Sequence, residues 1–236
     1  MSLDYTVRES LKAKHVSLKM SLKGDLEVIV PKGFDRNRIP DILQSKQRWI
    51  ERVIRRMATQ QALVGSDVVA DRPQQIALQA IAEHWRVDYQ PTNSKAITVK
   101  EQAGLRLKLQ GPTDDLELCK LALQHWVMQK AKTALPPWLS TVSKTSRLAY
   151  QSVSVRQQKT IWGSCSIRKT ISLNCKLLFL PPALVEYVCV HELCHTKHLN
   201  HSSDFWHLVG RHCTDYKELD DKLRDARYMV PWWMEN

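Results

Sequence analysis

His191, Glu192 and His195 stand in the order H-E-x-x-H within residues 183 to 199, a run that is otherwise apolar for most of its length. Burying two imidazoles and a carboxylate there is costly unless they serve a partner. On a helix, residues four apart project from one face about 6 Å apart along the axis, so His191 and His195 can meet on one cation. Glu192 is then angled toward a water molecule beside that cation. The chemistry this set predicts is metal-assisted hydrolysis, with zinc polarising a carbonyl and Glu192 carrying a proton from water to the leaving group. Val185, Val188, Val190 and Leu193 speak against two surface histidines on an ordinary helix, which would need a polar face around them.

A hydrolytic zinc takes three protein ligands and leaves one position open, so a third must follow. His198 and His201 compete. His198 continues the same straight helix about 4.5 Å beyond His195 and turns back with difficulty. His201 follows Asn200, a residue tolerant of the left-handed conformation that ends helices, so the chain is expected to bend there and return the imidazole. His201 is therefore the preferred ligand, with Glu218 as an acidic alternative, and His198, His207 and His212 are placed in the surroundings or at the surface. Imidazole sets also bind Co, Ni, Mn or Fe, and only the glutamate-assisted helix motif favours zinc. Trp162, Gly163 and Ser164 have two readings: an edge segment that lines the substrate cleft and pairs with an extended chain, or a tight bend with Trp162 in the core.

These side chains need a scaffold, and the periodicities supply one. Residues 14 to 30 alternate, with Val16, Leu18 and Met20, a Lys23-Gly24-Asp25 turn, then Leu26, Val28 and Val30, which predicts a β-hairpin. From Asp35 to about Gln61 the spacing is helical and the flank is basic, with Arg48, Arg52, Arg55 and Arg56. Residues 63 to 74 gather Gly65, Ser66, Asp67, Asp71 and Pro73 and are the best linker candidate. Two further strand pairs are expected, 75–80 with 85–89 and 96–99 with 105–109, followed by a helix from Pro112-Thr113 that should stop near Pro136-Pro137. A strand at 153–155, a strand from Ile171 to Leu180, the metal helix opened by Pro181-Pro182, a helix capped by Ser202 or Ser203 and a last helix over 215–228 complete the chain. Strands and helices come in runs, so the fold class is α+β, with a β-rich basic front over 1–62 and a hydrolase domain over 75–236.

Composition sets limits on partners. The 236 residues carry a net charge of +11, and residues 1–60 alone hold 13 Lys/Arg against 7 Asp/Glu. A basic front suits an anionic partner such as nucleic acid or nucleotides, or simply a solvated surface. The 6 cysteines form no C-x-x-C pair and several lie in apolar runs, which argues against a zinc ribbon and for reduced, buried thiols; Cys165 and Cys194 are read the same way. No stretch approaches the roughly 18 apolar residues of a membrane span and no signal pattern opens the chain, so a cytoplasmic address is expected.

The spacing of His191, His195 and His201 equals that of metzincin proteases, but His198 holds the position of their glycine, so that label does not fit. The chain resembles the YgjP-like (SprT-like) metallopeptidases in three ordered blocks: Trp162-Gly163-Ser164-Cys165-Ser166, Ile171-Ser172-Leu173-Asn174, and Tyr187 to His195 running on to Asn200-His201-Ser202 with Phe205-Trp206. The Val28-Ile29-Val30-Pro31 strand end and the Trp49-Ile50 helix also look like the front of that family. The resemblance implies a zincin-like fold, a zinc ion on His191, His195 and His201, Glu192 as the base, and a peptide or protein substrate. It departs at Ile161, where the family pattern usually has an arginine, so a substrate contact from that side chain is not carried over. Two rival functions stand beside the peptidase. One is a metal-dependent nucleoside triphosphate pyrophosphohydrolase, favoured by the positive charge but unsupported by any Walker-type loop. The other is a nucleic-acid-associated module in which zinc is structural.

Overall fold

In the computed structural model, residues 4–20, 25–51, 53–54 and 72–234 are described. The chain divides into two compact units, Met1–Val68 and Val69–Asn236.

In the first unit the alternating apolar residues build strands as their period of two demands. β1 (Tyr5–Ser10), β2 (Ser17–Met20) and β3 (Leu26–Pro31) form a sheet in the order β1-β3-β2. β2 runs antiparallel to β3 with Leu18 opposite Val28 and Met20 opposite Leu26, and the turn at Lys23-Gly24 lies outside the described residues. β1, which the sequence did not signal, pairs parallel on the other side of β3. Val28, Val30 and Ile39 form the buried centre, with Val7, Leu18, Phe34 and Leu43 packed around them. The single basic helix expected from Asp35 begins as a 3-10 turn at Arg36–Arg38, becomes α1 (Ile39–Ser45), and breaks at Lys46 before residues 47–51 are helical again. At the break the Ile42 carbonyl accepts both the Lys46 N–H at 3.1 Å and the Ser45 hydroxyl at 2.7 Å. Arg52, Arg55, Arg56 and the linker residues up to 71 lie outside the described residues.

The second unit holds a four-stranded sheet of β4 (Gln75–Leu78), β5 (Glu83–Pro91), β6 (Thr98–Gln102) and β7 (Arg106–Gly111) in the order β4-β5-β7-β6. The two expected antiparallel pairs are present, β4 with β5 and β6 with β7, and a parallel β5–β7 ladder joins them. Trp85 and Trp126 meet edge to face at 5.2 Å, fastening this sheet to α2 (Leu116–Ser146). α2 is capped by Asp115, whose side chain accepts from the Leu118 N–H, and it continues through Pro136 and Pro137 instead of stopping there. Each interior proline costs about 3 kcal/mol. The stripe of Leu123, Val127, Ala131, Leu135, Leu139 and Val142 is fully buried, and burying such side chains returns about 1.5–3 kcal/mol apiece, enough to hold the helix across the prolines.

A second, smaller sheet carries the chemistry's surroundings. β8 (Ser152–Arg156), β9 (Gly163–Cys165) and β10 (Thr170–Asn174) lie in the order β8-β10-β9, with β8 parallel and β9 antiparallel to β10. The strand expected to reach Leu180 ends at Asn174, because the Asn174 side chain accepts from the Lys176 N–H at 3.1 Å and turns the chain into a 3-10 helix over Cys175–Phe179. The same side chain donates to the Gln158 and Ile161 carbonyls at 3.0 and 2.8 Å, fixing the approach to β9. Three helices follow: α3 (Pro182–Cys194), α4 (Ser203–His212) and α5 (Tyr216–Arg224). The Tyr187 hydroxyl donates to Asp220 at 2.9 Å and so ties α3 to α5. Among the described residues no helix is long and apolar enough to cross a membrane.

Candidate metal centre

α3 is buried on almost every side, with Leu184, Val185, Tyr187, Val188, Cys189, Val190, Leu193 and Cys194 all in the core. His191 and Glu192 occupy its last turn, and His195 is the first residue beyond it. The helix therefore ends at Cys194, five residues before the expected Leu199. Asn200 is not in the left-handed region; among the described non-glycine residues only Ala82, Leu105, Arg147 and Lys169 have positive φ. The chain turns instead through residues 195–197, where the Thr196, Lys197 and His198 amides bond back to the Leu193 and Cys194 carbonyls. This early exit returns His201 toward the helix. Ser202, the N-cap of α4, fixes the chain immediately after it by accepting from the Phe205 N–H.

Three imidazoles meet there. Nε2 of His191 lies 3.2 Å from Nε2 of His195 and 3.1 Å from Nε2 of His201, and the ligand atoms of all three fall within 4.8 Å of one another. A tetrahedral zinc with Zn–N of about 2.0–2.1 Å has ligand nitrogens roughly 3.3–3.4 Å apart, so the two short edges match one shared cation. The His195 Nδ1 lies 2.9 Å from the His198 carbonyl; with Nδ1–H donating to it, Nε2 keeps its lone pair for a metal. His198 thus contributes through its backbone. The rings are also held by packing: Phe205 stacks on His195 at 4.4 Å, Trp206 on His201 at 5.6 Å, and Tyr216 on Trp206 at 5.5 Å. Burial first, then the neighbouring His195 and His201, push the His191 imidazole down to about 4, and burial lowers His195 as well. His191 is therefore neutral at pH 7, the form that binds a metal, and the shift of His195 runs in the same direction. Glu218 pairs with Lys222 on exposed α5 at 2.6 Å and does not join the cluster.

Glu192 is buried, and burial pushes its carboxyl up to about 8. Its Oε2 has no hydrogen-bond partner among the described residues. An orphaned buried acceptor beside three converging nitrogens fits a hydrolytic metal with a water molecule next to it, because such an acceptor is tolerated only where it has work to do.

Gly163 explains how the small sheet serves this site. A Cβ added there would lie 2.7 Å from Glu192 Oε1, 2.8 Å from Cγ and 2.9 Å from Cδ. Its φ is ordinary, so close approach is the reason for glycine here. Trp162 to Ser166, read in the sequence as edge segment or bend, contains strand β9, with Trp162 half-buried against the core. The Asn174 amide bonds the Trp162 carbonyl and the Ser166 amide bonds the Thr170 carbonyl. In an antiparallel ladder the intervening odd residues point their backbone groups the other way, so Gly163 and Cys165 turn theirs to the open edge. Ser164 stands opposite Ser172 on β10 and, by the alternation of a strand, projects from the other face of the sheet than Gly163. The feature the sequence could not reveal is this contact between Gly163 and Glu192; a glycine next to a half-buried tryptophan was its only signal.

Against the curated proteins, the chain has no match. Among solved structures, the crystal structure of the metallopeptidase zymogen of Pyrococcus abyssi abylysin is similar at 26% identity over 38% of this chain and 90% of that one, with a TM-score of 0.34. The model of the family described as YgjP-like, metallopeptidase domain, matches residues 14–226. The chain belongs to the YgjP-like metallopeptidase family.

Proposed function

We propose that the protein is a zinc peptidase in which His191, His195 and His201 hold the metal, Glu192 moves the proton, and the outer edge of β9 aligns an extended polypeptide. The observation that carries this reading is that β9, the outer strand of its sheet, brings Gly163 against Glu192, next to the helix end at which the three imidazoles meet. When bound, the zinc ion supplies a polarised carbonyl and a water molecule whose pKa falls to about 7. Gly163 and Cys165 offer backbone N–H and C=O groups to the substrate chain, as an added strand requires. Glu192 accepts a proton from the attacking water on its unpartnered Oε2 and gives it to the leaving amine. Burial of this carboxylate excludes bulk water from competing for that proton. The stacked Phe205 and Trp206 hold His195 and His201 in place during the cycle.

The test is elemental analysis of the purified protein with casein and nucleoside triphosphates assayed on the same preparation. About one zinc per chain with cleavage of casein is expected, and Glu192→Gln should keep the metal and lose turnover about 10²–10⁴-fold. Retained activity in Glu192→Gln would remove the glutamate from its role, and triphosphate hydrolysis without proteolysis would replace the peptidase by the phosphohydrolase.

A further inference from the structure

Residues 151–180, which form the whole sheet of β8, β9 and β10, contain five cations (Arg156, Lys159, Arg168, Lys169 and Lys176) and no Asp or Glu. Arg156, Lys159, Arg168 and Lys169 are exposed. Among the described residues none of these four takes part in an ion pair, whereas in the other sheet of this unit Arg106 pairs with Asp88 at 2.8 Å. Their placement follows from topology. Lys159 sits at the end of the sheet where β9 starts, in the segment held by the Asn174 latch on the Gln158 and Ile161 carbonyls, and Arg156 ends β8 at the same end of the sheet, across β10 from β9. Arg168 and Lys169 sit at the opposite end, in the turn from β9 to β10 that the Ser166 carbonyl closes by accepting from the Lys169 N–H at 2.8 Å. Lys169 has φ +56, a conformation in which glycine would be less strained, so its charge is kept at a conformational cost. Outside the sheet, Lys197 adds an exposed cation on the loop between His195 and His201, and Asp204 opens α4 as an exposed acid.

The open edge of β9 therefore runs between two basic ends. Resting on the peptidase reading above, we propose that its occupant is an acidic polypeptide, an extended segment with carboxylates on both sides of the bond that is cut. At a rise of about 3.3 Å per residue, the stretch from residue 162 to 166 spans roughly 13 Å, so the carboxylates would stand about four residues apart. The unpaired backbone groups of Gly163 and Cys165 select a polypeptide rather than a phosphate chain, because a strand edge is complementary to another strand. The charge complementarity supplies orientation and a faster encounter.

The test uses the zinc-loaded full chain and internally quenched peptides of one length whose two flanking positions are Glu, Gln or Lys. Cleavage should follow Glu over Gln over Lys through KM, with the spread shrinking as salt rises. Lys159→Gln and Lys169→Gly should each narrow the Glu-over-Gln preference about two- to fivefold, as an exposed ion pair permits, acting on KM and not kcat. Lys169→Gly suits the positive φ and should fold at least as well as the parent, and Lys95→Gln, an exposed lysine in the other sheet's loop, should leave the preference unchanged. Binding of the same peptides to Glu192→Gln, read by fluorescence anisotropy, should show the same order without any turnover. Equal affinity for the Glu and Gln peptides overturns the inference. So does a single-stranded oligonucleotide that displaces them at lower concentration, which would assign the cations to phosphates. Failure to cut any peptide, with the Glu preference in binding intact, would instead overturn the peptidase reading alone.

Discussion

Replacing Gly163 by alanine probes the one contact on which the proposed geometry rests. The new Cβ would stand 2.7 Å from Glu192 Oε1 and 2.8 Å from Cγ, where ordinary non-bonded contacts lie at about 3.5–4.0 Å, so one partner must retreat by roughly 0.7–1 Å. β9 is pinned by its ladder to β10, and Glu192 is packed in the last turn of α3. The part free to give is the carboxylate, and its retreat is a movement away from the position where it can share a proton with water. A misplacement of about 1 Å costs on the order of 10²-fold in rate, so kcat should fall by about that factor. Overpacking typically costs about 1–3 kcal/mol, and the entropy gained over glycine returns about 0.4–1, leaving a loss of about 1–2 kcal/mol and a fall in Tm of a few degrees. The zinc content should stay the same, because none of the three histidines is touched. Ser164→Ala, on the opposite face of the same strand, should change none of these quantities appreciably. Steady-state kinetics, elemental analysis and a thermal melt on both variants decide the matter; a fully active Gly163→Ala protein with an unchanged Tm would refute the argument that β9 sets the position of Glu192.

His201→Ala should lose stoichiometric zinc and the activity with it, read by elemental analysis; metal that survives would move the third ligand elsewhere. The metal-free protein should become less stable between pH 6.5 and about 8. In that window the folded state keeps the Glu192 proton, held up to about 8 by burial, while the unfolded chain has released it, so stability falls as pH rises. Below pH 6.5 the buried, neutral His191 acts in the opposite sense, since the unfolded chain binds a proton that the folded state refuses down to about 4. Melts of the apo protein against pH would show the decline, Glu192→Gln should flatten it, and a flat parent profile would contradict it. Asn174→Ala should cost about 2–4 kcal/mol in chemical denaturation, because it strands the Gln158 and Ile161 carbonyls and the Lys176 amide; a loss under about 1 kcal/mol would show that those groups find other partners.

The sequence by itself determined the parts of this protein that depend on spacing along one element. The four-residue interval of His191 and His195 and the alternation around Val28 and Leu107 are local periodicities, and local geometry turns them into a face of a helix or a strand. The Pro181-Pro182 start of α3 and the Ser202 cap of α4 were legible for the same reason, since a helix end is satisfied by the residues next to it. Where competing local rules applied, packing overruled them: α2 runs through Pro136 and Pro137 because its buried stripe continues beyond them. The bend that brings His201 back was read from Asn200, yet it arises at His195–Lys197, where backbone amides close onto the last carbonyls of α3. Only the tertiary structure decided the parallel pairings of β1 with β3, β5 with β7 and β8 with β10, since strands distant in sequence leave no periodic trace of their partner. It alone placed Gly163 against Glu192 and gathered the exposed cations of one sheet at its two ends, because a missing Cβ and an unpaired charge acquire meaning only from what stands across from them.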